Sequence, residues 1–221
     1  MTTVAVMQPY FVPYAGYFRL FAAADVVALF DCVQFPRRGW VHRNRLRDAA
    51  GEPKWLTLPL AKAPRESEIR AMTFAPDAAD RFETDLRRLV PDPPPAAAAR
   101  LLTPLRRVGG RLVDYLEESM RATCAELALP FVTVRSSTLG LDPELRGADR
   151  VIAVARRLGA DVYLNPPGGR ALYDEASFSR AGLGLRFLPA WSGSSLSILQ
   201  RLIDEDPTAI RREILAQLQE P

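Results

Sequence analysis

Residues 3–31 read TVAVMQPYFVPYAGYFRLFAAADVVALFD, and the fold turns on this stretch. TVAVM (3–7) and DVVALFD (25–31) are short apolar runs rich in β-branched residues, and GYFRLFAAA (16–24) between them has helical character. A helix between two such runs is the pattern of a right-handed βαβ unit with parallel strands. At the handover from first strand to helix lies MQPYFVPYAGY (7–17), with tyrosines at 10, 14 and 17 and prolines at 9 and 13. In open α/β sheets ligands bind beyond the carboxyl ends of the strands, where helix N-termini present free N–H groups. Gln8, Tyr10, Tyr14 and Tyr17 therefore offer donors and acceptors at a crevice rim, and Gly16 permits close approach. A packed aromatic turn is the competing reading.

Moving outward, CVQFPRRGWVHRNRL (32–46) follows the second strand's carboxyl end, so both clusters are expected to face one crevice. Several guanidiniums beside an indole suit a phosphate or carboxylate, because arginine hydrogen-bonds bidentately and stacks on rings. On that ground Arg43, Asn44, Arg45 and Asp31 are candidate catalytic residues, and Gln34, Arg38 and Trp40 candidate substrate contacts. Arg37 and Arg47 read as solvated surface residues. A third cluster, LNPPGGRALYDEASF (164–178), supplies Gly168, Gly169, Tyr173 and Asp174 after another strand, and SGSSLSILQRL (192–202) supplies Ser194 and Ser195 at a helix start. Gln8, Tyr17, Asn44, Gly168 and Tyr173 are expected to line one pocket.

The rest of the chain continues in α/β fashion. KWLTLPL (54–60) alternates like a strand and follows the turn-prone AAGEP, which suggests a hairpin. Residues 77–128 are helical in pattern, broken by PDPPP (91–95), and read as a helical insertion within a single domain spanning 1–221. Then come PFVTVRSS as strand, ADRVIAVARRLG as helix with a terminal glycine, ADVYLNP and GLGLRFLPAW as strands, and SLSILQRLIDED as helix. The expected fold is α/β, with a mainly parallel sheet fed by residues 1–31 and 130–191.

Composition narrows the chemistry. The 221 residues, 48% hydrophobic, suffice for a full core without staples. Two cysteines, Cys32 and Cys124, form no disulfide framework and have no metal-ligand spacing. One histidine, His42, excludes a histidine-dependent triad and a multi-histidine metal site, so no metal is expected. Cys32 beside arginines is a weaker nucleophile candidate than a buried structural thiol. A formal charge of +3 fits an anionic small-molecule partner and falls short of a nucleic-acid binder. No apolar stretch is long enough to span a membrane and no leader-like segment opens the chain, so a cytoplasmic protein is expected, off the membrane.

The succession QPYFVPYAGYFRLF, ADVVALFDCVQFPRRGWVHRNRL, KWLTLPL, GADVYLNPPGGRALYDEASF and a terminal LSIL helix resembles the WbqC-like protein family over nearly the whole chain. That resemblance implies a bacterial cytoplasmic protein acting with partner enzymes in glycan or specialised-metabolite biosynthesis, in a transferase-like role. Cys32 and His42 depart from the family pattern, so no family-wide role falls on them. P-x-x-x-P-Y-x-G-Y followed by a helix and A-D-V-V is also similar to nucleotidylyltransferases of the H-x-G-H type, which implies a Rossmann-like fold and ATP or another nucleotide as cofactor. Tyr14 and Tyr17 would stand at the two histidine positions. Tyrosine is neutral at pH 7 and cannot replace their positive charge, so arginine takes that part or the adenylylation chemistry is lost. Two classes stay open: a transferase or ligase acting on an anionic nucleotide-linked, sugar, carboxylate or aminoacyl substrate, and a noncatalytic binding or assembly partner.

Overall fold

TVAVM and VVAL are buried along nearly their whole length, as strands covered on both faces must be. In the computed structural model, which describes residues 1–218, they are β1 (Thr3–Met7) and β2 (Val26–Leu29). They pair in parallel, from Val4 opposite Val26 to Met7 opposite Leu29. The connection is a 3-10 turn, Ala15–Phe18, that continues into α1 (Arg19–Ala23). The buried Arg19 guanidinium donates to the carbonyls of Gly16, Pro189 and Gln217 and lies 5.2 Å from the Trp191 ring. It ties the junction to the far end of the chain.

A hairpin follows. β3 (Arg43–Arg47) pairs antiparallel with β4 (Pro53–Thr57), with Arg45 opposite Trp55. The Asp48 carboxylate accepts from the Ala50 and Glu52 amides and closes the turn. Strand alternation turns Asn44 and Leu46 inward and leaves Arg45 and Arg47 outside, where they are exposed. Three helices come next: α2 (Ala78–Leu89), α3 (Ala96–Leu105) and α4 (Leu112–Glu126). The proline run at 91–95 separates the first two, as a missing N–H and a fixed φ dictate. Phe82, Leu101, Leu116 and Met120 share one core with Phe11, Tyr17 and Phe21 of the first junction.

The sheet then resumes with β5 (Thr133–Arg135), α5 (Gly147–Arg157), β6 (Val162–Asn165), α6 (Glu175–Arg180) and β7 (Gly184–Phe187). Gly159, at φ +68°, follows the end of α5 in the left-handed conformation that glycine tolerates. Among the described residues the sheet order is β5-β2-β1-β6-β7, and every pairing in it is parallel. The chain steps outward from β1 through β2 to β5, then returns to β6 and β7 on the other side. Strand order therefore reverses between β1 and β6, which defines the crevice where Rossmann-like sheets place their ligands. On one face pack Val151, Val154, Tyr163 and Phe178. α7 (Ile198–Asp204) and α8 (Pro207–Ala216) contribute Ile198, Leu202, Ile210 and Ile214 to the core on the other.

Candidate functional site

Past β1 the chain makes a tight loop that other segments hold in place. Val12 sits at φ +36°, a left-handed conformation that costs a β-branched residue of the order of 1–3 kcal/mol. Its carbonyl accepts from Asn44 Nδ2 at 2.9 Å and from Ser197 Oγ at 2.8 Å. Asn44 Nδ2 also donates to the Phe11 carbonyl at 3.2 Å, and the Phe11 amide donates to the Trp40 carbonyl at 2.9 Å. Two stretches far from it in sequence, residues 40–44 and Ser197, are thus pinned on one strained loop. Both amide hydrogens of Asn44 are engaged, and its Oδ1 accepts from the Arg45 amide, so this side chain positions and has little left for a substrate.

Above the loop lies a cavity of about 370 Å³ lined by Tyr10, Pro13, Tyr14, Trp40, Asn44, Arg45 and Ser195. The two phenols, the indole N–H, the Ser195 hydroxyl and the Arg45 guanidinium have no hydrogen-bond partner among the described residues, and no carboxylate lines the space. Burial raises the Tyr10 phenol, with Tyr14 adding to it; burial also raises Tyr14, against a smaller lowering by Arg19. Both phenols are neutral donors at pH 7. The Arg45 guanidinium lies 5.8 Å from the Trp40 ring and 5.2 Å from the Trp55 ring, and the two indoles are 5.6 Å apart. A donor-rich, acid-free cavity with one cation suits an oxyanion.

The model of the WbqC-like protein family matches residues 8–193, which include every lining residue except Ser195. The chain belongs to the WbqC-like protein family. An uncharacterized protein of Mycobacterium tuberculosis is 26% identical over 198 residues, covering 83% of this chain and 80% of its own. No solved structure matches.

The WbqC-like protein gathers only some of the residues that its sequence nominates. Tyr17 requires a correction: it is 2% exposed, its hydroxyl donates to the Gln8 carbonyl at 2.8 Å and sits 3.7 Å from Met120 Sδ, and burial raises its pKa steeply. It is a core residue and is not among the residues that line this cavity. Gly16 likewise serves packing, because a side chain there would run into the Tyr14 and Trp191 rings. Gly16→Ala is expected to lose about 1–3 kcal/mol of stability in urea unfolding.

Asp31 does not line the cavity. Its buried carboxylate accepts from Ser136 Oγ, Ser137 N and Ser137 Oγ, so it locks the end of β2 to the turn after β5. Gln34 and Arg38 border a separate basic depression of about 530 Å³ with Arg37 and Arg65. Arg43 also lies outside the cavity; it donates to the Arg38 carbonyl and stacks 4.3 Å from Trp55. The GG turn sits at the carboxyl end of β6, on the same sheet edge as Gln8 at the end of β1, yet Gly168, Gly169, Tyr173, Asp174 and Gln8 are not among the lining residues. Gly169 is packed against the Asn165 side chain, Tyr173 against Tyr163 and Phe178, and Asp174 caps α6 through the Ser177 amide. Ser194 Oγ accepts from the Leu196 amide, which leaves Ser195 as the serine that reaches the site. The expected five-residue pocket therefore retains Asn44 alone.

Three features escaped the sequence: Pro13 as a wall, Val12 as the strained support, and Trp55 as the partner of Trp40. The signal for Trp55 lay in the hairpin register, which sets it opposite Arg45. Cys32 is buried, with Ser136 Oγ at 3.0 Å and Arg150 Nε at 3.3 Å from its sulfur, away from the cavity. Among the described residues no group of three His, Cys, Asp or Glu side chains could hold a metal ion, and no helix is long and apolar enough to cross a membrane.

His42 packs 5.0 Å from the Phe35 ring with an unpartnered Nδ1, and burial, then Arg43, push its pKa from 6.5 down to about 4. Between those two values the unfolded chain binds a proton that the folded chain refuses, so His42 makes stability fall as pH drops from 6.5 towards 4. His42→Gln is expected to flatten that part of the stability–pH profile in urea titrations, because the chain has no other histidine. An unchanged slope would show that carboxylates alone set it.

Proposed function

We propose that this WbqC-like protein holds an anionic small molecule, a phosphate ester or a carboxylate, in the Tyr10–Trp40–Arg45 cavity and acts on it as a transferase or ligase. The observation that carries this reading is the donor set: five side-chain groups without a hydrogen-bond partner among the described residues, one of them cationic, belong to residues that line one cavity with no acid in its wall. Because no lining residue is a base at neutral pH, catalysis would come from orientation and from stabilising charge on the transferred group. The proton would leave through the substrate or a second reactant. A nucleotide as cofactor, a cytoplasmic setting and partner enzymes of a glycan or specialised-metabolite pathway belong to the same proposal, as the family resemblance implies.

The missing base also favours a second reading, a noncatalytic binding partner that keeps the cavity for recognition. Binding comes first in either case. Calorimetry and thermal shift with inorganic phosphate, pyrophosphate and citrate test it. A ligand at about one hundred times its dissociation constant adds roughly 2.7 kcal/mol of stability. At least one oxyanion is expected to raise the melting point at millimolar concentration. No shift with any of them would remove the oxyanion reading.

A further inference from the structure

We infer that the outer face of the β3–β4 hairpin extends the cavity into a nucleoside phosphate site, with the base on the Trp40–Trp55 pair and the phosphate at Arg45. This deepens the oxyanion reading above and rests on it. Trp40 is at once a wall of the cavity and a neighbour of Trp55, so the two surfaces are continuous. The indoles are 41% and 43% exposed although their rings touch, an apolar cost to the free protein that core packing does not explain. Aromatic faces beside guanidiniums are the usual platform for bases, because every base offers a π-face and the cation strengthens the stack.

Charge is concentrated at the same place. On the hairpin itself, residues 43–57 hold Arg43, Arg45, Arg47 and Lys54 against Asp48 and Glu52. Arg43, Arg45 and Arg47 follow one another on alternate positions of β3, and none has a carboxylate partner among the described residues. Elsewhere arginines such as Arg100, Arg111, Arg135 and Arg201 are paired with acids. An unpaired row of guanidiniums on a strand is what a polyphosphate neutralises.

The same donors argue against a bare sugar as the occupant. Sugar-binding sites commonly add carboxylate acceptors for the hydroxyls, and the carboxylates nearest Trp55 are already engaged: Asp48 by its turn amides and Lys54, Asp85 by Arg88. Base carbonyls, ring nitrogens and phosphate oxygens are acceptors and suit the donor-only guanidiniums and indole N–H groups of this face. The base therefore lies on the hairpin and the phosphate between it and the Tyr10–Tyr14 loop, while Gly16 itself is covered by Tyr14 and Trp191.

Calorimetry with ADP, GDP, CDP and UDP against inorganic pyrophosphate and glucose 1-phosphate tests this, in the native chain, Trp55→Ala and Trp55→Phe. Trp55 lines no part of the cavity and is half-exposed, but the Arg45 guanidinium lies against its ring, so the readout is the ratio of nucleotide to pyrophosphate affinity in each variant. At least one nucleoside diphosphate is expected to bind about tenfold or more tightly than pyrophosphate. Trp55→Ala should erase that advantage, bringing the ratio of nucleotide to pyrophosphate affinity to within about twofold of one, while Trp55→Phe keeps most of it. Equal affinity for pyrophosphate and the nucleotides overturns the inference and spares the oxyanion reading. A Trp55-dependent preference for glucose 1-phosphate overturns it in favour of a sugar. Failure of every anion removes the oxyanion reading and this inference together.

Discussion

Asn44→Ala is expected to destabilise the protein by about 3 kcal/mol, a fall of roughly 6–12 °C in melting temperature for a chain of this size. The substitution removes the donor to the Phe11 and Val12 carbonyls and the acceptor of the Arg45 amide in one step. A buried polar group left unpaired costs about 1–3 kcal/mol, and Ser197 still serves the Val12 carbonyl, so the loss comes mainly from Phe11 and Arg45. Relaxation of Val12 out of its left-handed conformation returns about 1 kcal/mol. That relaxation also moves Pro13 and Tyr14, and ligand affinity should fall with stability. Asn44→Asp, which keeps the acceptor and loses the donors, should recover only part of both. A melting point within about 2 °C of the native protein would mean that the loop holds itself.

Arg45→Ala is expected to lower the affinity for pyrophosphate about 10- to 100-fold with little change in melting temperature, because the guanidinium is exposed and makes no hydrogen bond among the described residues. Arg45→Lys keeps the charge but loses the fork and the planar stack on Trp40 and Trp55, so it should recover less than half of the lost binding free energy. Arg43 behaves differently. It is half-buried, bonded to the Arg38 carbonyl and stacked on Trp55, so Arg43→Lys should disturb hairpin stability before it disturbs pyrophosphate. Equal affinities for the native chain and Arg45→Ala, measured by calorimetry, would transfer the anion elsewhere.

The β1–α1–β2 unit is legible because its information is local: two continuous apolar runs around a helix leave parallel pairing as the economical arrangement. The reversal of strand order between β1 and β6 is not, since the Thr3–Val162 pairing depends on packing among segments far apart in sequence. The same division runs through the site. Tyr10, Tyr14, Trp40 and Arg45 were nominated by chemistry and position past strand ends, and they meet. Tyr17 was nominated by the same chemistry, yet Tyr17, Phe18 and Phe21 sit at helical spacing on a core-facing stripe. Periodicity outweighs the hydroxyl there. Asp31 failed for another reason: Ser136 and Ser137, which consume its carboxylate, lie a hundred residues downstream and become neighbours only through the pairing of β2 with β5. The GG turn suggested phosphate, but Asn165 packing against Gly169 explains that glycine without any ligand.

A crystal structure of the protein soaked with pyrophosphate tests the central claim most directly. Density within hydrogen-bond distance of the Arg45 guanidinium and the Ser195 hydroxyl, against Tyr10 or Tyr14, is the predicted result. Density in the depression of Arg37, Arg38 and Arg65, or in the larger one of about 690 Å³ bordered by Arg47, Arg87 and Arg88, with the Tyr10–Trp40–Arg45 cavity empty, would contradict it.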